Sequence, residues 1–326
     1  MDEIIFRQYR LGDESRIVDL FIIGAPHKRT IGFWEWINKC GPFGQSIVEV
    51  GELDGKIVAT YAVMPVQVQF KKELVKAGFG IQLFIHNEHR NINNTILIAD
   101  RVYKRCEKEG LNFVYGFPND YAFPLHSKVM GWEHIADFRC MELYTQKIKS
   151  DSEYDRDIKI ERVKIFNEEI DNLWQQTSIA DLAKNAVVRN SSFLNWKFFN
   201  NPLEHYIANV AKINGEIVGY MVLKLFRKGN VFCGHLVDFL SRKQNEKLIF
   251  QSLLHRAFDF FGWAKVDVIS AWCFPSNTYF EMLYSIGFRP TGFNTHFALK
   301  PIKNNDLADL IKHDNWFITM ADSDAF

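Results

Sequence analysis

The sequence predicts a mixed α/β fold present twice in tandem, and three observations carry that prediction. Phe33-Trp34-Glu35-Trp36 returns as Phe193-Leu194-Asn195-Trp196, and Asp54-Gly55-Lys56-Ile57 returns as Asn214-Gly215-Glu216-Ile217, each 160 residues later. Phe117-Pro118-Asn119 and Gly131-Trp132 return as Phe274-Pro275-Ser276 and Gly287-Phe288, 157 and 156 residues on. A period this long marks a duplicated domain, since solenoid units run only about 20–50 residues. Within each half, apolar alternation of period two also gives way to helical spacing in the same order.

The elements follow from local chemistry. Asp13 can cap a helix whose Ile17, Val18, Leu20 and Phe21 share one face. Residues 47–69 alternate about Asp54-Gly55, a hairpin signal, and residues 77–85 read as an apolar strand. Ile96, Leu97, Ala99, Val102, Tyr103 and Cys106 keep helical spacing up to a stop at Gly110, behind Lys104, Arg105 and Lys108. A strand over 112–117 and a helix ending near Gly131 complete the first half. The second half repeats the plan. It has a hairpin at Asn214-Gly215, a strand over 235–240, a helix carrying Leu248 to Phe260 that stops at Gly262, and a strand over 266–272. Residues 147–162 are charged and poor in apolar side chains, which makes them the linker between a domain at 1–146 and one at 163–326.

Composition narrows the class. At 326 residues and 47% hydrophobic content, the chain can bury two cores. Its 39 basic and 39 acidic residues cancel, which argues against a dedicated nucleic-acid surface. Cys40, Cys106, Cys140, Cys233 and Cys273 are scattered without metal-type spacing and read as reduced thiols. With an acidic start and no apolar run of spanning length, the expectation is a cytoplasmic protein without a membrane segment.

Ile85-His86-Asn87-Glu88-His89-Arg90, placed between a strand and a helix, resembles the phosphate-loop entry of the GNAT acyltransferase superfamily. Phe117-Pro118-Asn119 and Gly131-Trp132 resemble that family's next strand and helix. The resemblance covers nearly the whole chain, once per half. It implies two GNAT-like domains, each a mostly antiparallel sheet with a splayed parallel pair flanked by helices, and acyl-CoA as co-substrate. In that family the pantetheine pairs with the backbone of the first splayed strand, here Leu83, Phe84 and Ile85. Arg90, Asn91, Asn93, Asn94 and Thr95 would hold the pyrophosphate at a helix start, where unpaired N–H groups face an anion. Asn93 and Thr95 stand where the family has glycine, and the second half's Ser241–Asn245 loop has none. The first domain is therefore expected to carry the coenzyme, with Asn119 as a further contact or simply a cap.

For catalysis, the family's tyrosine slot holds Ser127 and Leu283; Tyr284 sits one place late, and Tyr115 and Tyr121 lie nearby, so the acid stays open among them with Tyr121 as a candidate. His86 and Asp238 are the candidate bases, against readings as a strand-end histidine and an internal salt bridge. The reaction needs no metal. The tail at 316–324 reads as an apolar strand ending in two acids and resembles tandem proteins of bacterial surface-polysaccharide (O-antigen) pathways that acylate nucleotide-linked amino sugars. The implied acceptor is the amine of a dTDP-linked amino-deoxysugar, the acyl group acetyl or a short chain such as 3-hydroxybutanoyl, with Trp36, Trp272 and Tyr279 available to stack on the base. A homodimer is compatible with this reading. The alternatives are a peptidoglycan-type aminoacyltransferase using aminoacyl-tRNA, and a non-catalytic tandem binding protein.

Overall fold

The computed structural model describes residues 3–24, 30–147, 157–182, 184–303 and 307–325. In the first half, β1 (Ile5–Gln8), α1 (Glu14–Gly24) and α2 (Ile31–Lys39) precede a meander of β2 (Ile47–Leu53), β3 (Lys56–Phe70) and β4 (Glu73–Ile85). Next come α3 (Ile92–Lys108), β5 (Phe113–Gly116), α4 (Phe123–Lys128) and β6 (Glu133–Tyr144). The second half begins with β7 (Lys159–Val163), α5 (Glu169–Gln175), α6 (Ser178–Asp181), β8 (Ala186–Val187) and α7 (Ser191–Leu194). It continues through β9 (Tyr206–Ile213), β10 (Glu216–Lys228), β11 (Val231–Ser241), α8 (Glu246–Trp263), β12 (Val268–Ala271), α9 (Thr278–Ile286) and β13 (Arg289–Pro301).

The duplication is visible in local geometry. Asp54 and Gly55 turn the β2–β3 hairpin with φ of 49° and 73°, and Asn214 and Gly215 turn β9–β10 with 53° and 90°. Both pairs occupy the left-handed region that a two-residue hairpin turn of this kind requires. Thr30 accepts a hydrogen bond from the Phe33 N–H at the start of α2, and Asn190 does the same for Phe193 at α7. These caps satisfy amides that a helix start otherwise leaves open.

The halves share one 13-stranded sheet instead of holding separate ones, in the order β1-β2-β3-β4-β5-β13-β6-β12-β11-β10-β9-β7 with β8 beside β3. Each half closes with a strand that it hands to the other. β13 pairs with β5, β6 pairs with β12, and β6 and β13 pair with each other in the middle. Sequence reading overlooks both closing strands, for a physical reason. The buried positions of β6 are Ile135, Phe138, Met141 and Leu143, whose spacing lacks the period of two because a bulge interrupts the strand. β13 begins Arg289-Pro290-Thr291-Gly292, which reads as a loop.

Three smaller expectations change. α8 runs through Gly262 to Trp263, and the reversal falls on Lys265 at φ 56°. The tail is no strand, since Thr319 caps a short turn at Met320–Asp322. Of the expected linker, residues 148–156 lie outside the described residues, while Lys159–Val163 form the edge strand β7 against β9. Among the described residues, no helix is long and apolar enough to cross a membrane.

Candidate active site

Parallel strands β4 and β5 keep register only at Gly78↔Val114 and Phe79↔Tyr115, and then diverge. Beyond that point β4 bulges, because Ile81 faces Ala62 and Phe84 faces Thr60. Gln82 and Leu83 thus oppose one residue, and Gln82 takes a φ of 57°. The extra residue reverses which face the side chains take. Phe79 and Ile81 belong to the core shared with the second half, whereas Leu83 and Ile85 face the core beneath α3. At the vertex, the Trp132 ring lies 3.2 Å from where a β-carbon would sit on either Gly80 or Gly116, so a side chain at either position would press on that ring.

On the α3 side the divergence opens a groove of about 740 Å³. Leu83, Phe84 and Ile85 line it with Arg90, Asn91, Thr95, Asn119 and Tyr121, and Ala122 and Leu125 of the α4 segment form the opposite wall. Eight sequence-predicted residues therefore meet in one place. Asn91 caps α3 by accepting the Asn94 N–H at 2.9 Å. Arg90 folds back to donate to the Ile85 carbonyl at 3.1 Å and lies over the Phe84 ring. Asn119 caps the turn into α4 by accepting the Ala122 N–H at 2.9 Å. Asn93 and Asn94 do not line the groove, and the Asn94 side chain donates to the His89 carbonyl. Tyr121 stands at the groove and is 82% exposed.

The corresponding divergence in the second half is closed. β11 and β12 stay paired through Leu236↔Ala271, and beyond them the Tyr279 hydroxyl accepts the Ser241 N–H at 2.8 Å. Tyr279 is fully buried between Phe239 and Phe250. The 241–246 loop is stitched to α5 and α6. Lys243 N–H donates to the Gln176 carbonyl at 2.7 Å, its Nζ pairs with Asp181 at 2.7 Å, and Ser178 donates to Glu246 at 2.5 Å. Tyr279 is therefore a plug, and cannot stack on a substrate base. Trp272 is likewise core, 5.2 Å from the Phe117 ring and 5.0 Å from Phe138.

A second, narrow cavity lies on the other face of the vertex, lined by residues of both halves. Trp36, Phe79 and Tyr115 meet Trp196, Lys197, Asp322 and Asp324 there. Its open volume of about 20 Å³ is room for one water. Burial pushes the Lys197 ammonium down to about 8, against the pull of Asp324 and Asp322, and its Nζ donates to the Ser323 carbonyl at 2.5 Å. Asp322 Oδ1 has no hydrogen-bond partner among the described residues.

Neither expected base reaches these cavities. Asp238 is 0% exposed and takes hydrogen bonds from Arg189 Nε, Tyr220 and Thr319, at 3.1, 2.7 and 2.7 Å. Arg189 also pairs with Asp322 at 2.7 Å, so this network anchors the tail. Burial alone would lower Arg189, but Asp238 and Asp322 hold it well above its ordinary value. His86 follows the last residue of β4 and accepts the Glu88 N–H, facing a separate groove with Arg16, Leu20 and Asp54.

One sheet built from two repeated halves, each contributing one parallel strand pair, points to a single architecture. An Enterococcus faecalis protein of unknown function, described as a probable N-acyltransferase, superposes with a TM-score of 0.71 at 14% identity, over 93% of this chain and 73% of that one. A tandem GNAT protein from the clavulanic acid biosynthesis pathway superposes at 0.63 with 12% identity, covering 93% of this chain and 100% of that one. The fold is that of the tandem GNAT proteins. An Anabaena variabilis GCN5-related N-acetyltransferase superposes at 0.70 with 13% identity, over 92% of this chain and 73% of that one. No protein-family model matches the sequence. No curated protein matches it either.

Sequence reasoning passed over Lys197, Arg189 and Trp196 as site residues. A signal was present for the first. Lys197 is a lone cation in Trp196-Lys197-Phe198-Phe199, where the first half has Ile37 after Trp36.

Proposed function

We propose that this protein is an acyl-CoA-dependent N-acyltransferase that binds its co-substrate in the first half. One observation carries the reading. Of two equivalent strand divergences, the first opens onto a groove and the second is plugged by Tyr279. The residues present suit the coenzyme. The bulge at Gln82 and Leu83 leaves one backbone unit of β4 without a ladder partner, so an extended pantetheine can pair there. The capped start of α3 offers first-turn amides to the pyrophosphate. When bound, the coenzyme supplies the activated acyl carbonyl at the vertex.

The acceptor amine approaches from the cavity between the halves. Asp322, whose Oδ1 has no partner among the described residues, receives the amine there, and Lys197 is the group placed to take a proton. Because the cavity holds only about one water, acceptor entry requires Ser323 and Asp324 to move aside. For the acceptor we propose an amino sugar, the dTDP-linked amino-deoxysugar being the specific candidate, with its nucleotide outside the cavity. Of the three aromatic residues read as stacking partners, only Trp36 lines the cavity, so base stacking supplies no support.

Calorimetry with acetyl-CoA tests the groove. Wild-type protein should bind, and Ala122→Trp, which fills the groove from α4, should not bind while keeping its circular dichroism spectrum. Thiol release from acetyl-CoA with amino sugars, free and nucleotide-linked, then identifies the acceptor. Absence of acyl-CoA binding would favour the non-catalytic reading. Activity with aminoacyl-tRNA alone would favour the aminoacyltransferase.

A further inference from the structure

We propose that His134, Asp137 and His296 form a binding site for a divalent transition metal of the zinc class, clamping the two exchanged strands together. The three ligand atoms converge. His134 Nε2 and His296 Nδ1 lie 2.8 and 2.7 Å from the same Asp137 oxygen, and all three atoms are within 4.8 Å of one another. Asp137 and His296 are direct register partners on β6 and β13. His134 and Asp137 are three apart, which on a regular strand sends them to opposite faces. Phe297 pairs with Ala136 and Ala298 with His134, so Ile135 is an extra residue that turns His134 to the side of Asp137.

The groups behind the ligands point the same way. His296 Nε2 lies 2.7 Å from Asp120 Oδ1, so both ring nitrogens of His296 face carboxylate oxygens. A neutral imidazole carries one N–H and can donate to only one of them. With that N–H donated to Asp120, the lone pair at Nδ1 is free to ligate a cation beside Asp137, and a carboxylate behind a ligating histidine is the usual way to set its tautomer. The Phe123 ring stacks on His296 at 4.3 Å and fixes its plane. Tetrahedral zinc with bonds of about 2.0–2.1 Å places ligand atoms about 3.3 Å apart. Each contact then opens by only about half an ångström, and water completes the coordination.

The site joins what the fold separates. His134 and Asp137 come from the first half and His296 from the second, and Asp120 sits between Asn119 and Tyr121 of the groove wall.

The test uses the full chain in a Cys40→Ser background, which removes the exposed thiol as a competing ligand. After dialysis against chelator, calorimetry with Zn²⁺ should show one equivalent bound, and Co²⁺ should give visible d–d absorption. His134→Ala, at an exposed position, should abolish both and remove the zinc-dependent rise in melting temperature. Asp120→Asn should weaken binding about 10–100-fold, the cost of losing the carboxylate that orients a ligating histidine. Failure to take up one equivalent, or uptake that His134→Ala leaves unchanged, overturns the site. Neither result depends on acyl-CoA binding, so the acyltransferase reading stands or falls separately.

Discussion

Trp36 and Trp196 stack across the join between the halves, ring centroids 4.8 Å apart and planes 15° from parallel. Each indole N–H donates to the other's backbone carbonyl, at 3.0 and 3.2 Å. Two residues 160 positions apart thus mark the pseudo-twofold axis of the duplication. Trp36→Ala or Trp196→Ala should each cost about 3–5 kcal/mol, as buried tryptophan truncations do. Because the two share one contact, the double variant should cost less than the sum, by about 0.5–3 kcal/mol. Denaturant titration of the four proteins measures this, and strict additivity would mean that the pair does not act as one unit.

Acyl-CoA should bind with one site per chain. Tyr279→Phe removes the acceptor of the buried Ser241 N–H and should destabilise the protein by about 1–3 kcal/mol. Its acyl-CoA affinity should match wild type, because the open groove lies in the other half. Two equivalents bound to the wild type would show that the plug does not close its cleft.

Arg189→Met strands two carboxylates, Asp238 and Asp322, in the interior. The expected loss is about 3–5 kcal/mol, the range for breaking a buried pair from one side. Arg189→Met combined with Asp238→Asn should recover part of that loss. Calorimetric melting checks both, and no recovery in the double variant would contradict a charge-based anchor for the tail.

Lys197 gives a pH dependence of defined sign. Its native value of about 8 lies below the ordinary 10.5, so between them the unfolded chain holds a proton that the native state lacks. Stability therefore rises with pH across that window, and the penalty is fully present below about pH 8. Lys197→Met should be more stable than wild type at pH 7 by about 1–3 kcal/mol, since each tenfold change in proton affinity is worth about 1.4 kcal/mol. The gain should fade as pH approaches 10.5. Unfolding curves at pH 7 and pH 10 decide it, and a gain independent of pH would refute a lysine held near neutrality by burial.

His86→Asn should lower turnover less than the ~10²–10⁴-fold that general acid–base catalysis supplies, since His86 faces a groove away from the vertex. A larger loss at unchanged acyl-CoA affinity would return His86 to the chemistry.

The groove is legible in the sequence because its parts are contiguous. Leu83, Phe84 and Ile85 end a strand, Arg90 to Thr95 start the next helix, and Asn119 follows the paired strand. Strand, loop and cap each leave a local signature in residue order. Asp238 is legible only as a question. A carboxylate in Leu236-Val237-Asp238-Phe239 needs a partner, but Arg189 and Thr319 lie 49 and 81 residues away and carry no mark that names them.

Residue order alone specifies the duplication, the hairpins at Asp54-Gly55 and Asn214-Gly215, and the strand-loop-helix unit that shapes the groove. These rest on backbone geometry and period, which each residue expresses among its near neighbours. Three features appear only once the chain is folded: the closing strands change places, Tyr279 fills one cleft while the other stays open, and the tail is bound to Arg189. In each case the outcome depends on which distant surface buries a side chain best. Ladder hydrogen bonds are alike for any partner strand, so pairing β6 with β12 and not with β5 is decided by packing across the whole sheet.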